Sequence, residues 1–184
     1  GPFVLAWHGI FTFVAVVTSV YLVVRWGSRE GLSADAIYSV AVWAIIGGIV
    51  GARVVHIIDF WGEIYQDNPI RLLYVWQGGI AIYGAILGGF AGGSLYVIIR
   101  NSGRFLALWG RYFRFMGEPV KAPLPGVGVL ADIAAPAVLI SMAIGRIGDI
   151  INGEHFADAT TLPWGVVYTN PNSPGFGQPA SHPA

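Results

Sequence analysis

Four apolar stretches, each about as long as a bilayer is thick, decide what this chain can fold into. The first runs from about Phe3 to Val24 with His8 as its one ionisable side chain. The second, from about Ala36 to Ile58, is uncharged until Arg53, and the third, Gly78 to Ile99, carries no charge. The fourth, Ala122 to Gly145, is interrupted by Asp132. Crossing a hydrocarbon core of about 30 Å takes roughly 20 helical residues. An open sheet edge cannot be satisfied in lipid, so each stretch should be a helix. Charged residues are 11% of the 184, against about a quarter in soluble domains, too few to cover a globule in water. The expected fold is all-α, a polytopic transmembrane helical bundle with four spans.

The links between spans set an orientation. Arg25 and Arg29 lie in the first link, and Arg100, Arg104, Arg111, Arg114 and Lys121 in the third. The second sets Arg71 against Asp59, Glu63 and Asp67. The positive-inside rule places the first and third links in the cytoplasm, with the chain start, the second link and everything past Arg146 outside. Trp7, Trp61, Trp76 and Trp164 then fall at the outer boundary, and Trp26 and Trp109 at the inner one, as an aromatic belt does. Residues 1–156 are expected to form the bundle. Residues 157–184, rich in Pro, Gly, Asn and Ser, are expected to be an irregular outer-face segment. A first residue other than Met and the abrupt end at Ser181-His182-Pro183-Ala184 suggest a truncated chain. Zero net charge argues against a nucleic-acid partner, and the absence of cysteine excludes a disulfide framework and thiol catalysis by this chain.

Glycines recur four apart, Gly47 with Gly51, Gly84 with Gly88, Gly88 with Gly92 and Gly89 with Gly93, the spacing that lets helices approach closely in lipid. The polar residues of the spans gather at one level. His8 lies near the outer end of the first span, Arg53 and His56 at that of the second, Tyr83 shortly into the third, and Arg146 closes the fourth. At helical rise these positions share a depth within roughly 8 Å of the outer boundary, where a lipid headgroup sits. Each also has a plainer account. His8 alone fits an interfacial histidine, Tyr83 a belt aromatic, and Arg53 can snorkel to water. Asp132, just before Pro136, fits a group that satisfies freed backbone or pairs with a neighbouring helix. The arginines of the third link fit topology and anionic-lipid contacts.

The run Gly145-Arg146-Ile147-Gly148-Asp149-Ile150-Ile151-Asn152-Gly153-Glu154-His155 concentrates the polar chemistry. Ionisable groups at membrane depth are costly and mark function. In a helix, Arg146, Asp149 and Asn152 share one face at i, i+3, i+6. The arginine fork suits a phosphate and stays charged in lipid. Asp149 either holds that fork in place or neutralises it. The glycines flanking Arg146 offer room for a ligand's close approach.

At these residues the chain resembles the prolipoprotein diacylglyceryl transferase family of bacterial membrane enzymes. Gly51-Ala52-Arg53 is similar to the family's Gly-Ala-Arg element, and Trp76 through Ala85 to its glycine-rich third element, whose Tyr83 position is His or Tyr. Asp132, Pro136, Gly145-Arg146-Ile147-Gly148 and Asn152-Gly153-Glu154 resemble its signature, and Leu162-Pro163-Trp164-Gly165 and His182-Pro183 the approach to its later His-Pro motif. The family usually has Trp-Tyr-Gly where this chain has Trp7-His8-Gly9, Asn where it has Asp149, Gly where it has Ala157, and seven spans.

The resemblance implies transfer of a diacylglyceryl group from phosphatidylglycerol to the lipobox cysteine of prolipoproteins in the bacterial inner membrane, with no cofactor or metal. It implies Arg146, His8 and Tyr83 as catalytic residues and Arg53, Gly78, Gly79, Asp149, Asn152, Gly153 and Glu154 as the substrate-binding set. The departures at His8, Asp149 and Ala157 motivate a second reading, an inactive homologue serving as a structural subunit of a larger membrane complex. A transporter or channel, suggested by Asp132 and Arg53 within spans, lacks paired broken helices or a charged row.

Overall fold

The computed structural model describes residues 7–74, 79, 81–116, 124–153 and 156–183. Its helices are α1 (Trp7–Arg29), α2 (Ala34–Asp59), α3 (Ile82–Arg100), α4 (Gly103–Tyr112) and α5 (Val127–Asn152). α1, α2, α3 and α5 are long and apolar enough to cross a membrane, the four expected spans of a polytopic helical protein. Several boundaries differ from the hydropathy reading, α1 running on to Arg29 and α5 starting at Val127 among them. α5 continues past Gly145 to Asn152, so Arg146 and Asp149 lie within the helix rather than after it. α3 starts at Ile82 rather than Gly78, because Gly79 takes a left-handed φ of 81° that a helix cannot include. Gly78 itself lies outside the described residues, as do Trp76, Lys121 and Glu154.

The chain divides into two compact units, one of Gly27–Ala131 and one of its two ends, Gly1–Trp26 with Asp132–Ala184. In the first unit, α2 and α3 pack antiparallel through bare backbone. A Cβ added to Gly51 would overlap the Gly84 carbonyl oxygen and lie 2.7 Å from the Gly88 Cα. One added to Gly47 would overlap the Gly88 carbonyl oxygen and lie 2.9 Å from the Gly92 Cα. Lipid tails supply no hydrophobic drive between helices, so this close approach supplies the dispersion contact instead. Trp43 stacks on Tyr96 along the same pair, with centroids 5.8 Å apart. Past α2, a π-helical turn (Trp61–Tyr65) and a 3-10 turn (Pro69–Leu73) carry the chain toward α3.

In the second unit, α1 and α5 also run antiparallel. The Ser141 hydroxyl lies 2.9 Å from both the Ala15 and the Ala137 carbonyl oxygens, and nearer the other end Gly148 meets Phe11 and His8. Pro136 sits inside α5, where it removes the N–H that would have bonded the Asp132 carbonyl. The tail is irregular for most of its length and closes on a short antiparallel ladder of β1 (Phe156–Ala159) and β2 (Ser181–Pro183). A bridge between Val166 and Ser181 extends that pairing.

Candidate functional site

Asp149 is the centre of the polar chemistry in the unit built from the chain's ends. Its residue is 7% exposed, and each carboxylate oxygen is engaged. His8 Nδ1 lies 2.6 Å from Oδ1, and Arg146 Nη1 3.5 Å from Oδ2. With a carboxylate as acceptor, Nδ1 carries the proton, which makes Nε2 the basic nitrogen of the ring. The contact to Arg146 is long at 3.5 Å, and the arginine side chain stays 53% exposed. Asp149 thus steadies the guanidinium and leaves much of it open to an anion.

Helix packing explains how His8 reaches so far along the chain. Gly148 precedes Asp149 and is buried; a Cβ there would come within 2.8 Å of the Phe11 Cβ and 3.3 Å of the His8 Cα. The missing side chain is room for α1, not for a ligand as the sequence suggested. At Gly145 nothing lies within 4 Å. One turn on, Gly153 ends α5 with φ 69° and donates its N–H to the Asp149 carbonyl at 2.9 Å, the left-handed cap for which glycine is suited. Tyr168 and Ser173 close over it, and the Ser173 hydroxyl donates to the Asn152 carbonyl at 3.0 Å. The tail therefore satisfies a helix terminus that would otherwise need water. Glu154 lies outside the described residues.

The Gly27–Ala131 unit carries its own polar cluster. Arg53 is 8% exposed and does not snorkel. Its guanidinium donates to three backbone carbonyls of the following loop, Arg71 at 2.6 Å, Gly79 at 3.1 Å and Leu72 at 3.3 Å, and lies 5.5 Å from the centre of the Tyr65 ring. Gly79 is cradled: a Cβ would overlap the His56 ring and lie 2.9 Å from Arg53 Nη1. His56 stands edge-on to Phe60, with centroids 4.6 Å apart, and to Tyr65 at 6.0 Å. Arg53, His56, Tyr65, Arg71, Tyr74 and Gly79 line a cavity of about 100 Å³. Tyr83, on the first turn of α3, is 76% exposed.

The structure thus joins His8, Arg146 and Asp149, with Asn152 and Gly153 ending the same helix, and separately joins Arg53 with Gly79. Tyr65 escaped the sequence reading. It is 2% exposed, but a tyrosine in a loop between two spans carries no periodic signal, and the π-helical turn that buries it is not written in hydropathy. The roles of Ser173 and Tyr168 escaped for the same reason.

Residues 1–116 and 125–184 match the family model of prolipoprotein diacylglyceryl transferase. Proteins named phosphatidylglycerol–prolipoprotein diacylglyceryl transferase are among its relatives. That of Limosilactobacillus reuteri is 34% identical over 161 residues, 88% of this chain and 50% of its own length. That of Lactiplantibacillus plantarum is 35% identical over 162 residues, 88% and 49% of the two chains. That of Geobacter sulfurreducens is 30% identical, covering 97% of this chain and 58% of its own. The chain spans about half the length of the curated relatives it matches. A family match running through all but eight residues, 117–124, leaves one placement: this multi-pass membrane chain belongs to the prolipoprotein diacylglyceryl transferase family.

Proposed function

We propose that the full-length protein transfers a diacylglyceryl group from phosphatidylglycerol to the lipobox cysteine of prolipoproteins, at the outer face of a bacterial cytoplasmic membrane. The observation that carries this reading is the shared carboxylate, with His8 and Arg146 both held by Asp149. In the transfer the cysteine sulfur attacks the glyceryl carbon of the lipid, the bond from that carbon to the phosphate oxygen breaks, and glycerol phosphate leaves. The thiol proton goes to His8 Nε2, histidine being the side chain most often used as a general base. Arg146 binds the departing phosphate, where an oriented charge in a site poor in water stabilises the developing anion. Tyr83 serves as a further proton relay. Arg53 assists headgroup binding together with Gly78 and Gly79, its bonds to the Arg71 and Gly79 carbonyls keeping that end of the cavity shaped. Asn152, Gly153 and Glu154 orient the segment that follows Arg146.

The test uses the full-length protein in phosphatidylglycerol vesicles with a lipobox peptide. The expected result is a peptide mass increased by one diacylglyceryl group, with one glycerol phosphate released per peptide. Arg146→Ala should lower turnover roughly 10²–10³-fold, the loss typical of removing one donor to a developing oxyanion. Full turnover by that variant would remove Arg146 from the mechanism. No turnover by the wild type, with co-purifying stoichiometric partners, would favour a structural subunit instead.

A further inference from the structure

α4 takes no part in the cluster around Asp149, and its surface points to a ligand of its own. It is ten residues long, too short to cross a bilayer, and it buries none of its residues. Phe105, Leu108, Trp109 and Tyr112 recur at i, i+3, i+4 and i+7, one apolar face. Leu108 and Tyr112 are more than half exposed. The rings form a row, Phe105 to Trp109 at 5.7 Å and Trp109 to Phe113 at 5.3 Å, and Phe115 beyond them is 83% exposed. Arg104 and Arg111, seven apart, share the flank of the helix that also carries Ala107.

Two observations choose the occupant. The helix starts three residues after Arg100, the last residue of the spanning helix α3, so it begins at the depth of the headgroups. From Arg100 to Met116 the chain has four arginines and no carboxylate. A surface of one sign beside a partly exposed aromatic row is the composition of an interfacial helix, which buries its rings at the acyl boundary and sets its cations among anionic headgroups. A protein cover would need carboxylates matched to Arg104 and Arg111, whereas the bilayer is already in place at the end of α3. We infer that α4 lies flat in the headgroup layer and binds anionic phospholipid, its aromatic face toward the acyl chains and Arg104 and Arg111 on the phosphates. This site is independent of the transfer reaction.

These 184 residues hold no cysteine, so with any cysteine elsewhere in the full-length protein replaced by serine, Leu108→Cys and Ala107→Cys each give a single attachment point for a nitroxide. Each is read in vesicles of phosphatidylcholine with and without phosphatidylglycerol. With phosphatidylglycerol, the label at 108 should be relaxed by oxygen and shielded from a water-soluble nickel chelate, and the label at 107 should show the reverse. Arg104→Gln with Arg111→Gln should lower the docked-to-undocked ratio roughly thirtyfold, about fivefold per arginine, and lysines at both positions should restore it. Three results overturn the inference. They are equal chelate access at both positions, shielding of both from oxygen and chelate alike (a protein cover), and docking indifferent to phosphatidylglycerol. The readout is depth, so a protein inactive in transfer still answers the question.

Discussion

His8 and Asp149 are two positions at which this chain carries residues other than those usual in the family it resembles, and they are bonded to each other at 2.6 Å. A tyrosine and an asparagine exchanged for a histidine and an aspartate reads as one change, because each new side chain needs the other. A carboxylate this buried requires a donor, and the imidazole gains a fixed tautomer from it. Returning one member alone should therefore harm more than returning both. Asp149→Asn and His8→Tyr should each lower peptide lipidation roughly 10²-fold, while the double variant recovers part of the loss, with a coupling of about 1–3 kcal/mol in rate terms. Additive losses would dismiss the idea of a single exchange. Gly148 offers a test without touching a polar group. Gly148→Ala sets a methyl 2.8 Å from the Phe11 Cβ, so α1 must shift and carry His8 with it. Overpacking of this kind costs about 1–3 kcal/mol. Turnover should fall with the thermal midpoint in detergent, whereas Gly145→Ala, with nothing within 4 Å, should leave both near wild type.

Elements were legible to different degrees, for reasons that lie in what hydropathy measures. The α2–α3 contact follows from glycine spacing, and its test belongs to the helix pair. Gly88→Ala would drive a methyl into the Gly47 carbonyl oxygen, while Gly93→Ala meets Ala44 Cβ at an ordinary 3.4 Å. The first should lower stability by about 1–3 kcal/mol and the second much less, measured as loss of helical circular dichroism on heating in micelles. Equal effects would mean that the close approach does not hold the pair together. The four spans were readable because length and apolar content alone decide them. The end of α5 was not, since hydropathy drops at Arg146 while the hydrogen-bond ladder continues to Asn152. Arg53 could snorkel to water by its sequence position, and in the structure it is buried and donates to the Arg71, Leu72 and Gly79 carbonyls. Their convergence depends on a π-helical turn, a 3-10 turn and a left-handed glycine, none of which leaves a period in the sequence. Arg53→Met should take the guanidinium donor from the Leu72 and Gly79 carbonyls, while the Arg71 carbonyl keeps the Tyr74 N–H at 3.1 Å; a carbonyl left unpaired costs about 1–3 kcal/mol. The 3-10 turn at Pro69–Leu73 should then be cut by protease in folded protein, with no new cleavage in α2 or α3.

On the scale of the whole molecule, one unit is built from segments more than a hundred residues apart, His8 and Asp149 being separated by 141 positions. The Gly27–Ala131 unit is contiguous. Such a division asks the membrane to fix the direction of four crossings before the ends can pair, and the charges in the links are the means. Arg25 and Arg29 follow the first crossing and four arginines cluster after the third, whereas the second link holds three carboxylates against Arg71. Asp and Glu weigh little in this rule, so the arginines decide it. They should hold the first and third links inside and leave Asp149 and the tail outside, the side that the proposed transfer requires. Cysteines introduced singly at Ser28 and at Asn170 of the full-length protein, in a background with any cysteine beyond these 184 residues replaced by serine, report the outcome, since these residues hold none. A membrane-impermeant maleimide should label position 170 in intact spheroplasts and position 28 after the membrane is opened. The reverse pattern would put the His8–Asp149 contact on the cytoplasmic side, where a lipobox thiol held outside could not reach it, and the proposed transfer would fail on topology alone.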